Sequence, residues 1–381
     1  MLKIKSFIFI IFTSIIIYPL MANEFDIDKT TVKTKLLSFE VTHFSDGYDI
    51  PWGMAFLPDH RVLVTDISGT LWLLSKDGEL KLNIKGVPPV FFHGQGGLLD
   101  VEVHPNFLNN SLVYLSYSEK LNKNKYHTTI IRGTLEKNTL TNIETIYRAR
   151  KNDFSKTSHH YGSRIVFDND RFLYFSIGDR GLKEQAQDLT SPSGKIHRVL
   201  DDGTIPLDNP FIDIKNACQS IWTYGNRNPQ GLAKHPETGS IWESEHGPRG
   251  GDELNLIQKG HNYGWPIITY GINYDGSKIT DLKIKDGMDQ PINQWTPSIA
   301  VCGIKFYTGK PFKLWENNLL VTSLKYEQLR RLIIVNNKKL DEEVIFKSGS
   351  RIRDVEIGPD GLIYLALEKP GRIVKLSPLK E

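Results

Sequence analysis

Residues 53–65 read GMAFLPDHRVLVT, and this short stretch decides the fold. An apolar segment reaches a Pro-Asp turn, and a second segment rich in β-branched residues follows it. Related strand-turn-strand segments begin near residues 99, 165, 231, 303 and 355. The first two turns, at Pro58 and Pro105, are 47 residues apart, and strand modules that repeat every ~40–50 residues are typical of propeller blades. The sequence therefore predicts an all-β fold, a six-bladed β-propeller, because a two-sheet sandwich does not explain the periodic turns.

Residues 1–22 have the composition of a secretory signal peptide. Two lysines precede an apolar run from Phe7 to Leu20, and the chain becomes polar after Ala22. The alternative is a membrane anchor, but the run is shorter than the ~20 residues that span a bilayer. We therefore expect cleavage after Ala22, a periplasmic or secreted protein without stable membrane insertion, and one propeller domain over residues 23–381.

The charge balance of the mature chain excludes one class of partner. Without Lys3 and Lys5 the formal net charge falls from +3 to +1 (47 − 2 − 44). Such a chain has no broad basic field, which argues against nucleic acid as a partner. Only two cysteines occur, Cys218 and Cys302, and they either form a disulfide or serve as small apolar residues. The sequence leaves the choice between a disulfide and free cysteines open. The oligomeric state is also open, with a monomer slightly favoured.

The densest chemistry lies in residues 225–266, which read GNRNPQGLAKHPETGSIWESEHGPRGGDELNLIQKGHNYGWP. Arg227 and Asn228 place a planar cation beside an amide, a pair that suits carboxylate or carbonyl oxygens. The turn at residues 245–248 is expected to leave main-chain carbonyls free, and calcium accepts such ligands. Further oxygen atoms come from Asp252, Glu253 and Tyr263. Together these features predict a site for an anionic cofactor and a metal.

Polar residues also stand at the entrances to several modules. Because equivalent positions of propeller blades converge at one end of the central channel, we expect a single ring. Its members are Gln95, His160, Arg227, Asn228, Lys325, Arg351 and Arg353. Four of the seven are cationic, and such a cluster requires a polyanionic ligand to be stable.

The histidine pair at residues 159–160 has three interpretations: metal ligands, a catalytic base, or simply polar residues on the surface. Gly162, which permits unusual backbone geometry, favours a functional role. The oxygen-rich segments 168–170 and 178–181 lack the ligand spacing of an EF-hand, so turn chemistry explains them better.

These motifs resemble a known family, the soluble sugar dehydrogenases that depend on pyrroloquinoline quinone (PQQ), of the glucose/sorbosone dehydrogenase type. The bacterial aldose sugar dehydrogenase branch is the most similar. The motifs that carry the resemblance are PWGMAFLPD, GQGGLLDVEVHPNF, HHYGSRIVF, YGNRNPQGLA, SEHGPRGGDELNLI, GHNYGWP, LLVTSLK and RIRDVEIGPDG. They cover nearly the whole mature chain, and the family fold is a six-bladed propeller.

The resemblance implies roles for individual residues. His160 corresponds in position to the catalytic base of the family. The PQQ contacts fall on Gln95, Arg227, Asn228, Lys325, Arg351 and Arg353. A catalytic calcium is held by the main-chain carbonyls of Gly247 and Pro248 together with PQQ, and a second, structural calcium uses Glu253 and Tyr263. Trp295 is the candidate for an aromatic residue at the pocket. Where the glucose dehydrogenases carry an aspartate before the base, this chain has His159, so substrate choice and dimerisation are not implied.

The implied function is a periplasmic, PQQ- and calcium-dependent oxidation of aldoses to lactones, with electrons passed to a quinone or another non-NAD acceptor. One alternative is a calcium-dependent propeller lactonase or esterase. Such enzymes surround the metal with carboxylate and amide side chains, whereas this chain offers cations and main-chain carbonyls. The other alternative is a non-catalytic, carbohydrate-binding propeller, which has no use for a base inside a cationic ring.

Overall fold

The computed structural model describes residues 29–122 and 124–379, so the predicted signal peptide lies outside the described residues. Strands make up nearly all the regular structure. Within the described ranges the helices are one α-helix, α1 (Phe107–Asn110), and three 3-10 helices, Lys151–Asp153, Lys183–Ala186 and Lys313–Trp315. None of these helices has the length and apolar character needed to cross a bilayer.

The strands form six antiparallel sheets, each a blade of a propeller. The chain begins with β1 (Thr30–Lys33) and β2 (Ser38–Tyr48). The next blade holds β3 (Pro51–Phe56), β4 (Val62–Asp66), β5 (Leu71–Leu74) and β6 (Lys81–Ile84). It is followed by β7 (Leu98–Val103), β8 (Leu112–Asn122), β9 (Lys125–Glu136) and β10 (Thr139–Arg148). Then come β11 (Ile165–Phe167), β12 (Leu173–Ile177), β13 (Lys195–Val199) and β14 (Ile221–Tyr224).

The second half of the chain repeats this arrangement. One blade holds β15 (Pro229–Lys234), β16 (Ile241–Glu245), β17 (Asp252–Leu256) and β18 (Asn293–Trp295). The following blade holds β19 (Val301–Phe306), β20 (Leu319–Ser323), β21 (Gln328–Val335) and β22 (Lys338–Lys347). The last blade holds β23 (Ile352–Ile357), β24 (Ile363–Leu367) and β25 (Gly371–Pro378), joined by β2 and β1 at its outer edge.

The six sequence modules are the first two strands of the six blades, which confirms the predicted repeat. Each blade's first strand contacts the first strands of both neighbouring blades, in the closed cycle β3, β7, β11, β15, β19, β23 and back to β3. These strands therefore surround a central axis. The ring is closed by the pairing of β2 with β25, with Val41 opposite Leu376. The repeat pattern does not indicate this closure, because β2 and β1 lie outside the six modules.

A buried ion cluster lies among the first strands. Arg164, directly before β11, places Nη1 3.0 Å from Asp100 Oδ1 and 2.9 Å from Asp354 Oδ1. Its Nε donates to the Gln230 carbonyl at 2.8 Å, and its Nη2 donates to the Arg353 carbonyl at 3.0 Å. These partners come from β7, β15 and β23. One guanidinium thus ties four blades together beneath the strand ends that carry the candidate site, and a buried charge of this kind is stable only while it is paired.

Candidate active site

His160 lies in the loop that leads into β11, with a backbone that few non-glycine residues adopt. Its φ is 55°, and that of Gly162 is 62°. A Cβ on Gly162 would lie 2.8 Å from the Gly178 nitrogen, so only glycine fits this approach. The His160 N–H donates to Gln95 Oε1 at 2.8 Å. The loop therefore holds the histidine in one orientation, and strained backbone of this kind is common at functional sites.

The His160 side chain is paired with Asp179, which follows β12. His160 Nδ1 lies 2.6 Å from Asp179 Oδ1, and the Gly181 N–H donates to the same oxygen at 2.7 Å. Trp265 Nε1 donates to Asp179 Oδ2 at 2.8 Å. The segment 178–181 does form the predicted turn, but its carboxylate also orients the histidine. Sequence analysis missed this role because the partners are 19 residues apart and belong to different segments.

The charge states of this pair follow from burial and neighbours. Burial lowers the pKa of His160 to about 4, against the opposing hydrogen bond to Asp179, and the nearby Arg227 lowers it further. Burial is the largest single influence on the pKa of Asp179 and acts to raise it, but the hydrogen bond and charge of His160, the charge of Arg227 and the Gly181 N–H together lower the pKa. The imidazole is therefore neutral at pH 7 beside an ionised carboxylate. Because the carboxylate accepts a hydrogen bond from Nδ1–H, Nε2 is left as the basic nitrogen.

Arg227 and Asn228 lie directly before β15. Both backbone N–H groups donate to Glu245 Oε2, and Asn228 Oδ1 accepts from the Gly162 N–H at 3.2 Å. Arg227 Nη1 donates to the carbonyls of His246 and Gly247, each at 2.9 Å. The expectation that this turn leaves its carbonyls free is therefore wrong for these two residues, because the adjacent guanidinium takes them.

The other three predicted cations, Arg351, Arg353 and Lys325, lie in two different environments. Arg351 Nε lies 2.9 Å from Glu368 Oε2, and Arg353 Nε donates to Glu368 Oε1 at 2.9 Å. The two arginines therefore share one side of their strand end, as their alternation predicts. Glu368, which the sequence analysis did not single out, partly neutralises the cationic ring. Lys325 is exposed and lies over the Tyr326 ring, 5.2 Å from its centroid.

The segment after β16 forms the candidate metal loop. The Gly247 N–H donates to Asp252 Oδ1 at 2.9 Å, so that aspartate supports the turn. Within the described residues the Pro248 carbonyl accepts no protein hydrogen bond. The Tyr263 hydroxyl donates to the Leu256 carbonyl at 2.6 Å and accepts from the Gln258 N–H, so its phenolic oxygen is not available to a metal. The Tyr263 main-chain carbonyl is the remaining oxygen at that position.

Three carboxyl groups with little positive charge around them stand beside this loop. Burial and mutual repulsion raise the pKa values of Glu243 and Glu245, and burial raises that of Glu253 to about 7. Glu243 Oε1 is buried and has no hydrogen-bond partner in the described structure. A cavity of about 10 Å³, lined by Glu245, Glu253 and Tyr263 among others, has room for one small ion or water. Across residues 29–122 and 124–379 no three His, Cys, Asp or Glu side chains converge as metal ligands.

Comparison with known proteins assigns the family. Residues 48–375 match the family described as Glucose / Sorbosone dehydrogenase. The chain belongs to the glucose/sorbosone dehydrogenase family. It is 43% identical over 343 residues to the aldose sugar dehydrogenase YliI of Escherichia coli strain K12, covering 87% of this chain and 91% of that protein.

Two solved structures agree with this assignment. The apo-form of the soluble aldose sugar dehydrogenase from E. coli superposes with a TM-score of 0.85 at 39% identity, covering 90% of this chain and 100% of that one. The PQQ-bound aldose sugar dehydrogenase from Streptomyces coelicolor gives a TM-score of 0.73 at 26% identity, covering 89% and 98%. The predicted resemblance, the propeller fold and the assignment as an oxidoreductase are thereby confirmed.

Two further residues, His246 and Trp265, which the sequence does not single out, also face the site. His246 Nε2 is buried without a hydrogen-bond partner in the described structure. Burial, together with the charges of Arg353 and Arg227, lowers the pKa of His246 well below its usual range, so the ring is neutral. Trp265 binds Asp179 and lies under the Arg227 guanidinium, 5.3 Å from its ring centroid. Both stand in quoted motifs, SEHGPRGG and GHNYGWP, which was the available signal.

The structure also decides the role of Trp295 and the state of the two cysteines. Trp295 is not the pocket aromatic, because its indole is buried in a core between blades and its Nε1 donates to Glu342 Oε1 at 2.9 Å; Trp265 is the aromatic residue at the site. Cys218 and Cys302 are both free thiols, and Cys302 is buried in the core, as the apolar alternative predicts.

The ring residues suit an anionic, planar cofactor. Arg227 Nε is buried with no partner in the described residues, so its guanidinium has unused donor capacity. The neutral His246 and the amide of Asn228 supply further polar groups beside it. Main-chain carbonyls of the metal loop and the carboxyl groups of Glu245 and Glu253 are hard oxygen ligands, the type that calcium prefers. The donor set therefore fits both groups that the sequence resemblance implies.

Proposed function

We propose that this protein oxidises aldose sugars at the anomeric carbon to lactones, with PQQ and calcium as cofactors. The observation that carries the proposal is the His160–Asp179 pair, a neutral imidazole locked at Nδ1 within a rim of arginines. A binding module has no need for such a base. The ring with its four cations also differs from the metal centre of a propeller hydrolase, where carboxylate side chains surround the ion.

His160 acts as the general base. Its Nε2 accepts the proton of the anomeric hydroxyl as the hydride leaves the same carbon, and the Asp179 carboxylate stabilises the imidazolium that forms. A positioned base of this type contributes about 10²–10⁴-fold to the rate. The Gln95 side chain fixes the His160 backbone, so the base stays aligned during turnover.

PQQ is a flat ortho-quinone with three carboxylates, which matches the cations of the ring. Its contacts are proposed to be Gln95, Arg227, Asn228, Lys325, Arg351 and Arg353. When bound, PQQ supplies the hydride acceptor and calcium polarises its quinone carbonyl. The role of these residues is to hold the cofactor in one orientation.

The catalytic calcium is proposed to use the main-chain carbonyls of Gly247 and Pro248. The second calcium is proposed to use Glu253 and the main-chain carbonyl of Tyr263, since the Tyr263 hydroxyl is already hydrogen-bonded. A cation there would offset the repulsion among the buried carboxylates next to the loop.

The proposed location is the periplasm or the exterior, because residues 1–22 have the pattern of a secretory signal peptide. Electrons are proposed to pass to a quinone or another non-NAD acceptor, as the family resemblance implies. Fractionation of cells that express the full chain tests the location: the protein is expected in the periplasmic or secreted fraction.

Reconstitution tests the function. PQQ and calcium are added to the purified apo-protein, and reduction of an artificial dye is followed with glucose and other aldoses. Activity that requires both additions is expected. His160→Ala is expected to keep PQQ binding and lose most turnover. Failure of PQQ to bind would contradict the proposal, and hydrolysis of a lactone or an ester would replace it with the hydrolase.

A further inference from the structure

The Arg227 guanidinium is hydrogen-bonded to a main-chain carbonyl that the proposed function assigns to calcium. Its Nη1 donates to the Gly247 carbonyl at 2.9 Å and to the His246 carbonyl at 2.9 Å. In the proposed function Gly247 supplies one of the two protein ligands of the catalytic ion. The Arg227 side chain is itself one of the proposed contacts of PQQ. A single cation is therefore placed at the metal position while it is also required at the cofactor.

The loop is held more firmly than the arginine side chain. The Gly247 N–H is bonded to Asp252 Oδ1 at 2.9 Å, and the His246 N–H donates to the Asn228 carbonyl at 3.1 Å. A Cβ on Gly247 would lie 2.3 Å from backbone atoms of Gly251, which shows how closely the loop is packed. The carbonyls therefore have little freedom to turn away, whereas the Arg227 side chain has rotatable bonds and an unpartnered Nε.

Resting on the proposed function, we propose that Arg227 serves as an internal cation at the calcium site of the metal-free protein. Calcium displaces its guanidinium from the Gly247 carbonyl, because two cations at one buried oxygen repel each other. The released guanidinium then turns to the anionic cofactor. Calcium and PQQ binding are thus coupled through one side chain, and the metal-free loop keeps its carbonyls in ligand position.

Calorimetric titration of calcium alone into metal-free, PQQ-free protein tests this inference. Arg227→Gln is expected to bind calcium at one of its sites at least about tenfold more tightly than the wild type, because no charge-assisted hydrogen bond must first be broken. Arg351→Gln is the matched control: it also removes one ring cation, but Arg351 pairs with Glu368 and makes no contact with the loop carbonyls. Its calcium affinity is expected to change less than about threefold.

The outcomes separate this inference from the proposed function. Equal or weaker calcium binding by Arg227→Gln would show that the guanidinium supports the loop and would overturn the inference alone. Equal tightening in both variants would assign the effect to general charge and would also overturn it. If no variant binds calcium in the absence of PQQ, the inference fails, whereas the proposed function, in which PQQ itself completes the calcium site, is decided by the reconstitution assay.

A second measurement does not depend on a variant that folds. Crystals of the wild-type protein grown with calcium and without PQQ are expected to show Arg227 Nη1 out of hydrogen-bonding distance of the Gly247 carbonyl. A calcium ion bound to that carbonyl with the guanidinium still in place would overturn the inference.

Discussion

Replacing Asp179 by asparagine tests the central geometry of the site. The change keeps the size of the side chain and removes the charge that faces His160 Nδ1 at 2.6 Å. It also weakens the acceptor for Trp265 Nε1, which lies 2.8 Å from the other oxygen. An asparagine amide can present an N–H to Nδ1, which would favour the tautomer with its proton on Nε2 and so weaken the base.

The magnitude follows from the hydrogen bond that is lost. A hydrogen bond to a charged group contributes about 1.5–3 kcal/mol, and each 1.4 kcal/mol corresponds to about tenfold in rate. The kcat of Asp179→Asn in reconstituted protein is therefore expected to fall by about 10- to 150-fold, while PQQ binding persists, because Asp179 is not among the proposed cofactor contacts.

The pH profile distinguishes positioning from a purely structural effect. In the wild type the pKa of His160 is about 4, so kcat/KM should decrease only as the pH falls through that value and the base becomes protonated. Asp179 opposes the lowering of this pKa. Its neutralisation therefore moves the acidic limb to still lower pH, and raising the pH above 7 does not restore activity.

The matched control is Asp289→Asn. Asp289 Oδ2 lies 2.7 Å from His261 Nδ1, so the same type of pair is broken away from the ring. Its kcat should be unchanged. An Asp179→Asn enzyme within about threefold of wild-type kcat, or an acidic limb displaced to higher pH, would refute the reasoning about the base.

Three further predictions concern stability and the cofactors. Arg164→Met leaves the buried carboxylates of Asp100 and Asp354 without their cation, and urea unfolding should show a loss of about 3–5 kcal/mol. Lys278→Met, which breaks the exposed pair with Asp281, should leave the urea midpoint nearly unchanged. Removal of calcium by a chelator should abolish dye reduction and lower Tm, and calcium should restore both better than magnesium, which demands octahedral geometry. His246→Ala should weaken PQQ binding about 2- to 12-fold in a fluorescence titration, because one neutral hydrogen bond is lost; unchanged affinity would remove His246 from the cofactor site.

The sequence by itself determined the fold and the set of candidate residues for the site. The turn that begins at Pro58 and its repeats are local signals, because strand propensity and turn chemistry act over a few residues. A repeat of this kind also places equivalent positions at one end of a channel. For this reason the sequence predicts His160, Arg227 and Arg353 as one group.

Only the tertiary structure decided which of these groups interact. Asp179 has the local sequence of a turn, and only the packing of the loops before β11 and after β12 brings its carboxylate to His160. Glu368 joins Arg351 and Arg353 in the same way, and β2 closes the ring from outside the repeats. Such pairings depend on side-chain atoms meeting within about 3 Å, a distance set by the closed ring of blades and not by any local pattern.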